Sequence, residues 1–93
     1  MKIAVNRSYG AFILNEEQTE MLKPFVNEDF IFEVDYKHEL RSNDKLIEVI
    51  EATQDTNSIK VIEIPDNATD YIINEHDGFE TVYYVVDGKI KRA

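Results

Sequence analysis

The chain has 93 residues, a formal net charge of −9 at pH 7 and no cysteine. This length predicts a single domain over residues 1–93, and the lack of cysteine excludes a disulfide framework, a thiolate metal site and a cysteine nucleophile. The negative charge disfavours direct binding to DNA, RNA or an anionic membrane, because affinity for these partners depends on neutralising phosphates.

The first part of the chain predicts a strand, a turn and a short helix. Residues 2–6 alternate in polarity, as residues of a strand do. Gly10 then allows a turn, because glycine readily takes a positive φ. Asn15 is typical of a helix N-cap with Gln18 at the third helical position, and Pro24 predicts where this helix ends.

The middle of the chain predicts a second strand and a second helix. In residues 29–36, apolar side chains alternate with polar ones, which is typical of a strand with one buried face. Ser42 then suits the N-cap of a helix of about ten residues. The apolar stripe of this helix consists of Leu46, Ile47, Val49 and Ile50. A polar loop is predicted for residues 54–58.

The last part of the chain predicts an antiparallel meander. Its apolar, β-branched runs occupy residues 59–64, 71–73, 81–86 and 89–91. Asp77-Gly78 and Asp87-Gly88 lie between such runs, and Asp-Gly in this position is a strong hairpin signal. We therefore expect an α+β domain with a mainly antiparallel sheet and two helices packed on one face.

The sequence offers little support for catalysis. Ser8 has no histidine near it and no nucleophile-elbow pattern, so it is interpreted as a turn residue. The best metal candidate is the acidic segment 75–80, with His38 as a further ligand, since carboxylates and imidazole suit Mg²⁺, Mn²⁺ or Zn²⁺. A metal-dependent enzyme is therefore an alternative, and it would use Glu75, His76, Asp77 and Glu80. The main expectation is a non-catalytic protein without a cofactor.

The turn Asn6-Arg7-Ser8-Tyr9-Gly10 contains the groups that bind anions. Arginine offers a bidentate fork to phosphate, and the N–H groups of a turn form anion-binding concavities. Tyr9 or Phe12 could stack on a base. The structural alternative is a strand-to-helix connection in which Asn6 satisfies the turn, Arg7 is solvated and Phe12 enters the core.

Several segments, in order along the chain, resemble an uncharacterised family of small phage and prophage proteins. The shared features are an N-terminal Asn-Arg-x-Tyr-Gly-x-Phe turn and a C-terminal Asp-Gly-x-Glu hairpin. The matching segments are residues 2–12, 15–17, 46–51, 60–66 and 77–80. Ala11 departs from the second glycine common in the family, and the ending at 83–92 replaces a basic, tryptophan-containing tail. The resemblance implies a mobile-element setting without an agreed activity.

The first hypothesis is a phage-type counter-defence protein that sequesters a small anionic, nucleotide-like ligand. Residues 6–10 and Phe12 would hold the ligand, and Asp77 or Glu80 would read its ribose or base edges. A homo-oligomer is expected, because a small protein encloses a ligand best between protomers. The alternative is an acidic inhibitor of a host defence protein. Nucleic-acid mimicry is one form of this alternative, although the acids are spread along the chain. The expected location is the bacterial host cytoplasm, without a membrane partner.

Overall fold

The computed structural model describes residues 1–54 and 56–93 and confirms the α+β class. The order of elements is β1 (Lys2–Asn6), α1 (Glu16–Leu22), α2 (Glu28–Glu33), α3 (Asp44–Ala52), β2 (Ile59–Glu63), β3 (Asp70–His76), β4 (Phe79–Val86) and β5 (Lys89–Arg92). A 3₁₀ turn at His38–Ser42 connects α2 to α3. Within the described ranges, no helix has the length and apolar character needed to cross a membrane. Asp55, in the predicted polar loop, lies outside the described residues.

The strands pair antiparallel, as predicted, but they form two sheets rather than one. β1 pairs with β2, and the second sheet has the order β3-β4-β5. Both Asp-Gly hairpins are present: Asp77 and Asp87 have a φ of 52°, and Gly78 and Gly88 have φ values of 92° and 73°. Positive φ at both central residues is what a type I′ turn requires, and such turns match the natural twist of the strands.

The two-stranded sheet is the middle of three layers. On one of its faces, Ala4 packs into a core cluster built mainly from α1, α2 and α3. On the other face, Ile3 and Val5 pack against Ile73 and Val82 of the three-stranded sheet. β1 is therefore buried on both faces, and this position brings its end, where the candidate turn begins, next to both of the other layers.

The predicted strand at residues 29–36 is wrong, because this segment begins with the helix α2. Asn27 is the N-cap, and its side chain accepts a hydrogen bond from the Phe30 N–H at 3.0 Å. Phe30 and Val34 are buried four residues apart, as on one face of a helix, whereas Phe32 is 72% exposed. The alternation of apolar and polar residues therefore led to the wrong prediction, and the N-cap at Asn27 determines the local structure.

The other two helices lie close to their predicted positions. Asn15 caps α1 in a capping box with Gln18, and α1 ends before Pro24, as predicted. The cap of α3 is Asn43 rather than Ser42: the Asn43 side chain accepts from two backbone N–H groups at 2.9 and 3.1 Å. Ser42 instead ends the 3₁₀ turn. Because α2 is also helical, the part of the chain that the structure describes has three α-helices instead of the two predicted.

Candidate functional site

The N-terminal turn (Asn6–Gly10) is docked on the tip of the β3–β4 hairpin (Asp77–Gly78). The Gly10 N–H donates to the Asp77 carbonyl at 2.9 Å, and the Asn6 side-chain amide donates to the Gly78 carbonyl at 2.9 Å. A Cβ atom at Gly78 would overlap the carbonyl group of Gly10, so only glycine allows this approach. The structure thus brings together the turn and Asp77, which the sequence hypothesis assigned to one site.

Asn6 is occupied by the fold and not available to a ligand. It is 1% exposed. Its side-chain amide also donates to the Ser8 carbonyl at 2.9 Å, and its side-chain oxygen accepts from the Ser58 hydroxyl at 2.6 Å. This is the turn-forming role that the structural alternative described. Asn6 shapes the turn rather than lining a binding surface.

Glu80 is also unavailable, because it forms a buried ion pair with Arg41. Glu80 is 3% exposed and Arg41 is 0% exposed. They meet through two hydrogen bonds, from Arg41 Nη1 to Glu80 Oε1 at 2.7 Å and from Nη2 to Oε2 at 2.8 Å. The remaining Arg41 N–H groups donate to the carbonyls of Ala4, Val34 and Asp35. All five guanidinium donors therefore have an acceptor.

This ion pair forms hydrogen bonds with the backbone groups along the outer edge of β1. Just beyond the last ladder pair of β1 and β2, the Arg7 N–H donates to the Ser58 carbonyl at 2.9 Å, and alternate residues of an antiparallel strand turn their backbone groups away from the partner. By this alternation, Ala4 and Asn6 face the outer edge. The Ala4 carbonyl accepts from Arg41 at 3.1 Å, and the Asn6 N–H donates to Glu80 at 2.7 Å. Side chains from the 3₁₀ turn and β4 thus replace a neighbouring strand.

Phe12 lies beneath this pair and is not free to stack on a ligand. It is 4% exposed, and the Arg41 guanidinium carbon lies 3.7 Å from the centroid of its ring. Arg41 was not among the predicted site residues, because it lies in a polar stretch without a motif. A signal was available at Glu80, however. Side chains alternate along β4, so Glu80 shares a face with the buried Val82, and a charge on that face requires a buried partner.

Arg7, Tyr9 and Phe79 form a group that we call the Arg7 corner, in which Tyr9 is exposed and Arg7 and Phe79 are half-buried. The Arg7 guanidinium carbon lies 5.3 Å from the centroid of the Phe79 ring, within the range of a cation–π contact. The Tyr9 ring is 6.3 Å from the Phe79 ring, at an angle of 44°. Tyr9 is 76% exposed. The corner therefore presents a cation beside aromatic surface that solvent reaches.

Arg7 differs from most other cations of this acidic chain, since it forms no ion pair with any described residue. Five of the basic residues before β5 do pair with a carboxylate: Lys2, Lys23, Lys37, Arg41 and Lys45. The Arg7 side chain also donates no hydrogen bond within the described residues, and neither do the backbone N–H groups of Ser8 and Tyr9. The turn thus offers a guanidinium and two amides to an anion.

A cleft of about 550 Å³ lies along the inner side of the hairpin tip. Its lining includes the carboxylates Asp35, Glu75, Asp77 and Glu80 together with Phe12, Tyr36 and His38. Arg41 neutralises Glu80, and the other three acids leave the cleft negatively charged. This charge disfavours an anionic ligand there. The cleft is therefore a poor site for an anion. Among the predicted ligand residues, Arg7 and Tyr9 of the Arg7 corner are better placed to bind one.

The residues proposed for a metal-dependent enzyme do not converge. Glu75 and His76 are neighbours in β3, so their side chains alternate between the two faces of the sheet. Glu80 is committed to Arg41. Across residues 1–54 and 56–93, no group of three or more histidine, aspartate or glutamate side chains is arranged to hold a metal ion.

No family model matches the chain, and neither a curated protein nor a solved structure matches it.

Proposed function

We propose that this protein is a non-catalytic binding protein that sequesters a small anionic, nucleotide-like ligand at the Arg7 corner. The observation that carries the proposal is the unpaired guanidinium of Arg7 beside the exposed ring of Tyr9. The chain has nineteen acidic and ten basic residues, and five other basic residues before β5 pair with a carboxylate, whereas Arg7 has no carboxylate partner among the described residues. A phosphate would provide the counter-charge, and arginine binds phosphate through a bidentate fork.

The corner can recognise two parts of a nucleotide at once. The Arg7 guanidinium and the free N–H groups of Ser8 and Tyr9 would bind a phosphate, since turn amides form anion-binding concavities. The Tyr9 ring, 76% exposed, would stack on a base. Stacking of this kind contributes about 1–3 kcal/mol per base, and a hydrogen bond to a charged group about 1.5–3 kcal/mol.

The open shape of the corner supports an oligomer in the bound state. Arg7, Tyr9 and Phe79 would cover one side of a ligand, whereas binding sites for small molecules bury most of the ligand surface. A second copy related by a two-fold axis would cover the other side. The cellular role we propose, phage counter-defence by sequestration of a nucleotide signal in the host cytoplasm, follows from the resemblance to phage and prophage proteins.

Isothermal titration tests the proposal with AMP, ADP-ribose and a cyclic dinucleotide, with inorganic phosphate as a ligand that lacks a base. We expect saturable binding of at least one nucleotide and weaker binding of phosphate. Arg7→Ala should reduce the affinity by roughly 10- to 150-fold, the equivalent of about 1.5–3 kcal/mol. Tyr9→Ala should reduce nucleotide affinity but leave phosphate binding almost unchanged.

The matched control is Arg92→Ala. This substitution removes one positive charge, as Arg7→Ala does, but from the exposed strand β5. If both variants lose affinity equally, the effect is due to net charge and the assignment of the site is wrong. The proposal is also refuted if no nucleotide in the panel releases or absorbs heat, or if Arg7→Ala binds as well as the unmodified protein.

A further inference from the structure

The helices α1 and α2 form the most acidic part of the fold. They contain seven and six residues, of which six are acidic and none is basic: Glu16, Glu17, Glu20, Glu28, Asp29 and Glu33. Although acids occur along the whole sequence, the fold therefore concentrates a third of the nineteen on two adjacent short helices. Two of these acids pair with a lysine, Glu20 with Lys23 and Glu33 with Lys37. The surface remains negatively charged.

A groove of about 350 Å³ lies between these helices. Its apolar lining is formed by Val26, Ile31 and Phe32, and Thr19, Lys23, Asn27 and Glu28 complete it. Val26 and Ile31 are partly buried against the core cluster, whereas Phe32 is 72% exposed. The groove thus has an apolar floor anchored in the core and a phenylalanine wall that lies mostly in water.

We propose that this groove, here called the α1–α2 groove, is a docking site for a basic amphipathic segment of a partner protein. An apolar side chain of the segment would bury Phe32 and cover Val26 and Ile31. Lysine or arginine side chains beside it would meet the carboxylates of the two helices. Helices with this pattern are commonly recognised in apolar grooves, and the surrounding charge determines which partners are accepted.

The charge of the surface argues against other occupants. A second copy in a two-fold contact would place the same six acids of each protomer against one another, and nearby like charges in a contact are unfavourable. Nucleic acids and anionic lipid surfaces are repelled for the same reason. The groove itself is lined by one acid and one base, Glu28 and Lys23, so the negative charge comes from the surrounding helices. A segment with an apolar anchor for the groove and positive charges for these helices satisfies both properties of the surface. The proposal uses none of the residues of the Arg7 corner, so it stands or falls independently of nucleotide binding.

The test is a titration with two synthetic helical peptides of equal length, one built from leucine and lysine and the other from leucine and glutamate. Binding is followed by fluorescence anisotropy of a labelled peptide and by amide chemical shifts of the full chain. We expect the lysine peptide to bind, with shift changes at residues 19–32, and the glutamate peptide not to bind. Added salt should weaken binding, because it screens the attraction between the charges.

Phe32→Ala is the decisive variant, and Ile72→Ala is its matched control. Both residues are exposed, at 72% and 52%, but Ile72 lies on β3 and does not line the groove. Phe32→Ala should lower the affinity by about tenfold, as expected when one apolar anchor is removed, and Ile72→Ala should leave it unchanged. Equal binding of both peptides, an unchanged affinity of Phe32→Ala, or shift changes outside the groove would overturn the proposal. So would self-association that Phe32→Ala abolishes, since the occupant would then be a second copy.

Discussion

Replacement of Glu80 by glutamine tests whether the buried ion pair holds the fold together. The substitution keeps the shape of the side chain and an oxygen that can accept from the Asn6 N–H. It removes the negative charge that faces Arg41, a residue with 0% exposure. The nearest remaining acid is Asp35, whose carboxylate oxygen lies 4.0 Å from Arg41 Nη2 and is half-exposed. The variant therefore leaves a buried cation without an adequate counter-charge.

The expected loss of stability is large. Removal of one partner of a buried ion pair typically costs about 3–5 kcal/mol, because the other charge remains uncompensated. The whole stability of a natural domain is roughly 5–15 kcal/mol. In a domain of this size, each kcal/mol lowers the Tm by about 4–8 °C, so the Tm of Glu80→Gln should fall by roughly 12 °C or more.

Thermal and urea denaturation followed by circular dichroism measure this loss. Glu63→Gln is the control, since it makes the same chemical change at an exposed position of β2. The double variant Arg41→Met/Glu80→Gln should lose less stability than the sum of the two single variants, because it removes the unpaired charge. The role assigned to the pair would be refuted if the Tm of Glu80→Gln decreased by less than about 4 °C, or if the effects of the two substitutions were additive in the double variant.

Three further predictions concern the hairpins, a helix cap and the effect of pH. In urea denaturation, Gly88→Ala should cost roughly 1–2 kcal/mol, because Gly88 has a positive φ. Gly78→Ala should cost clearly more, because Gly78 has a positive φ and also touches the N-terminal turn. Asn43→Ala should cost about 1 kcal/mol in the same assay and Ser42→Ala much less, since Asn43 is the cap. Burial raises the pKa of Tyr71, so the folded state favours the protonated phenol, and stability should fall as the pH rises from the unfolded value of about 10 through the higher folded value. Tyr71→Phe should lack that part of the alkaline loss, and its tyrosinate absorbance titration should lack the component with the raised pKa.

The parts of the fold that were predictable depend on short-range signals. The two Asp-Gly turns placed the hairpins of the meander correctly, because each such turn requires positive φ at two consecutive residues. The capping box at Asn15 and Gln18 placed α1 correctly. In each case a few neighbouring residues determine the conformation, and the rest of the chain does not need to be known.

The parts that were not predictable depend on contacts between distant residues. Arg41 and Glu80 are 39 positions apart, and nothing near Arg41 indicates that it is buried. The segment at 29–36 satisfied a strand pattern, yet the cap at Asn27 and the core contacts of Phe30 and Val34 favour a helix. Phe79 was overlooked because its role arises only when the N-terminal turn packs on the hairpin.

Because side chains alternate along β4, a residue that stabilises the fold and a residue of the proposed binding site lie on opposite faces of the strand. Phe79 and Glu80 are adjacent, but Glu80 faces the buried Arg41, whereas Phe79 faces Arg7 and Tyr9 on the outer side. A ligand that binds the folded state raises the Tm, and Arg7→Ala should remove this increment without disturbing the ion pair. Glu80→Gln should instead lower the Tm by a similar amount with and without ligand. The ligand-dependent part of the Tm therefore reports on the Arg7 corner alone, even though both groups share one strand.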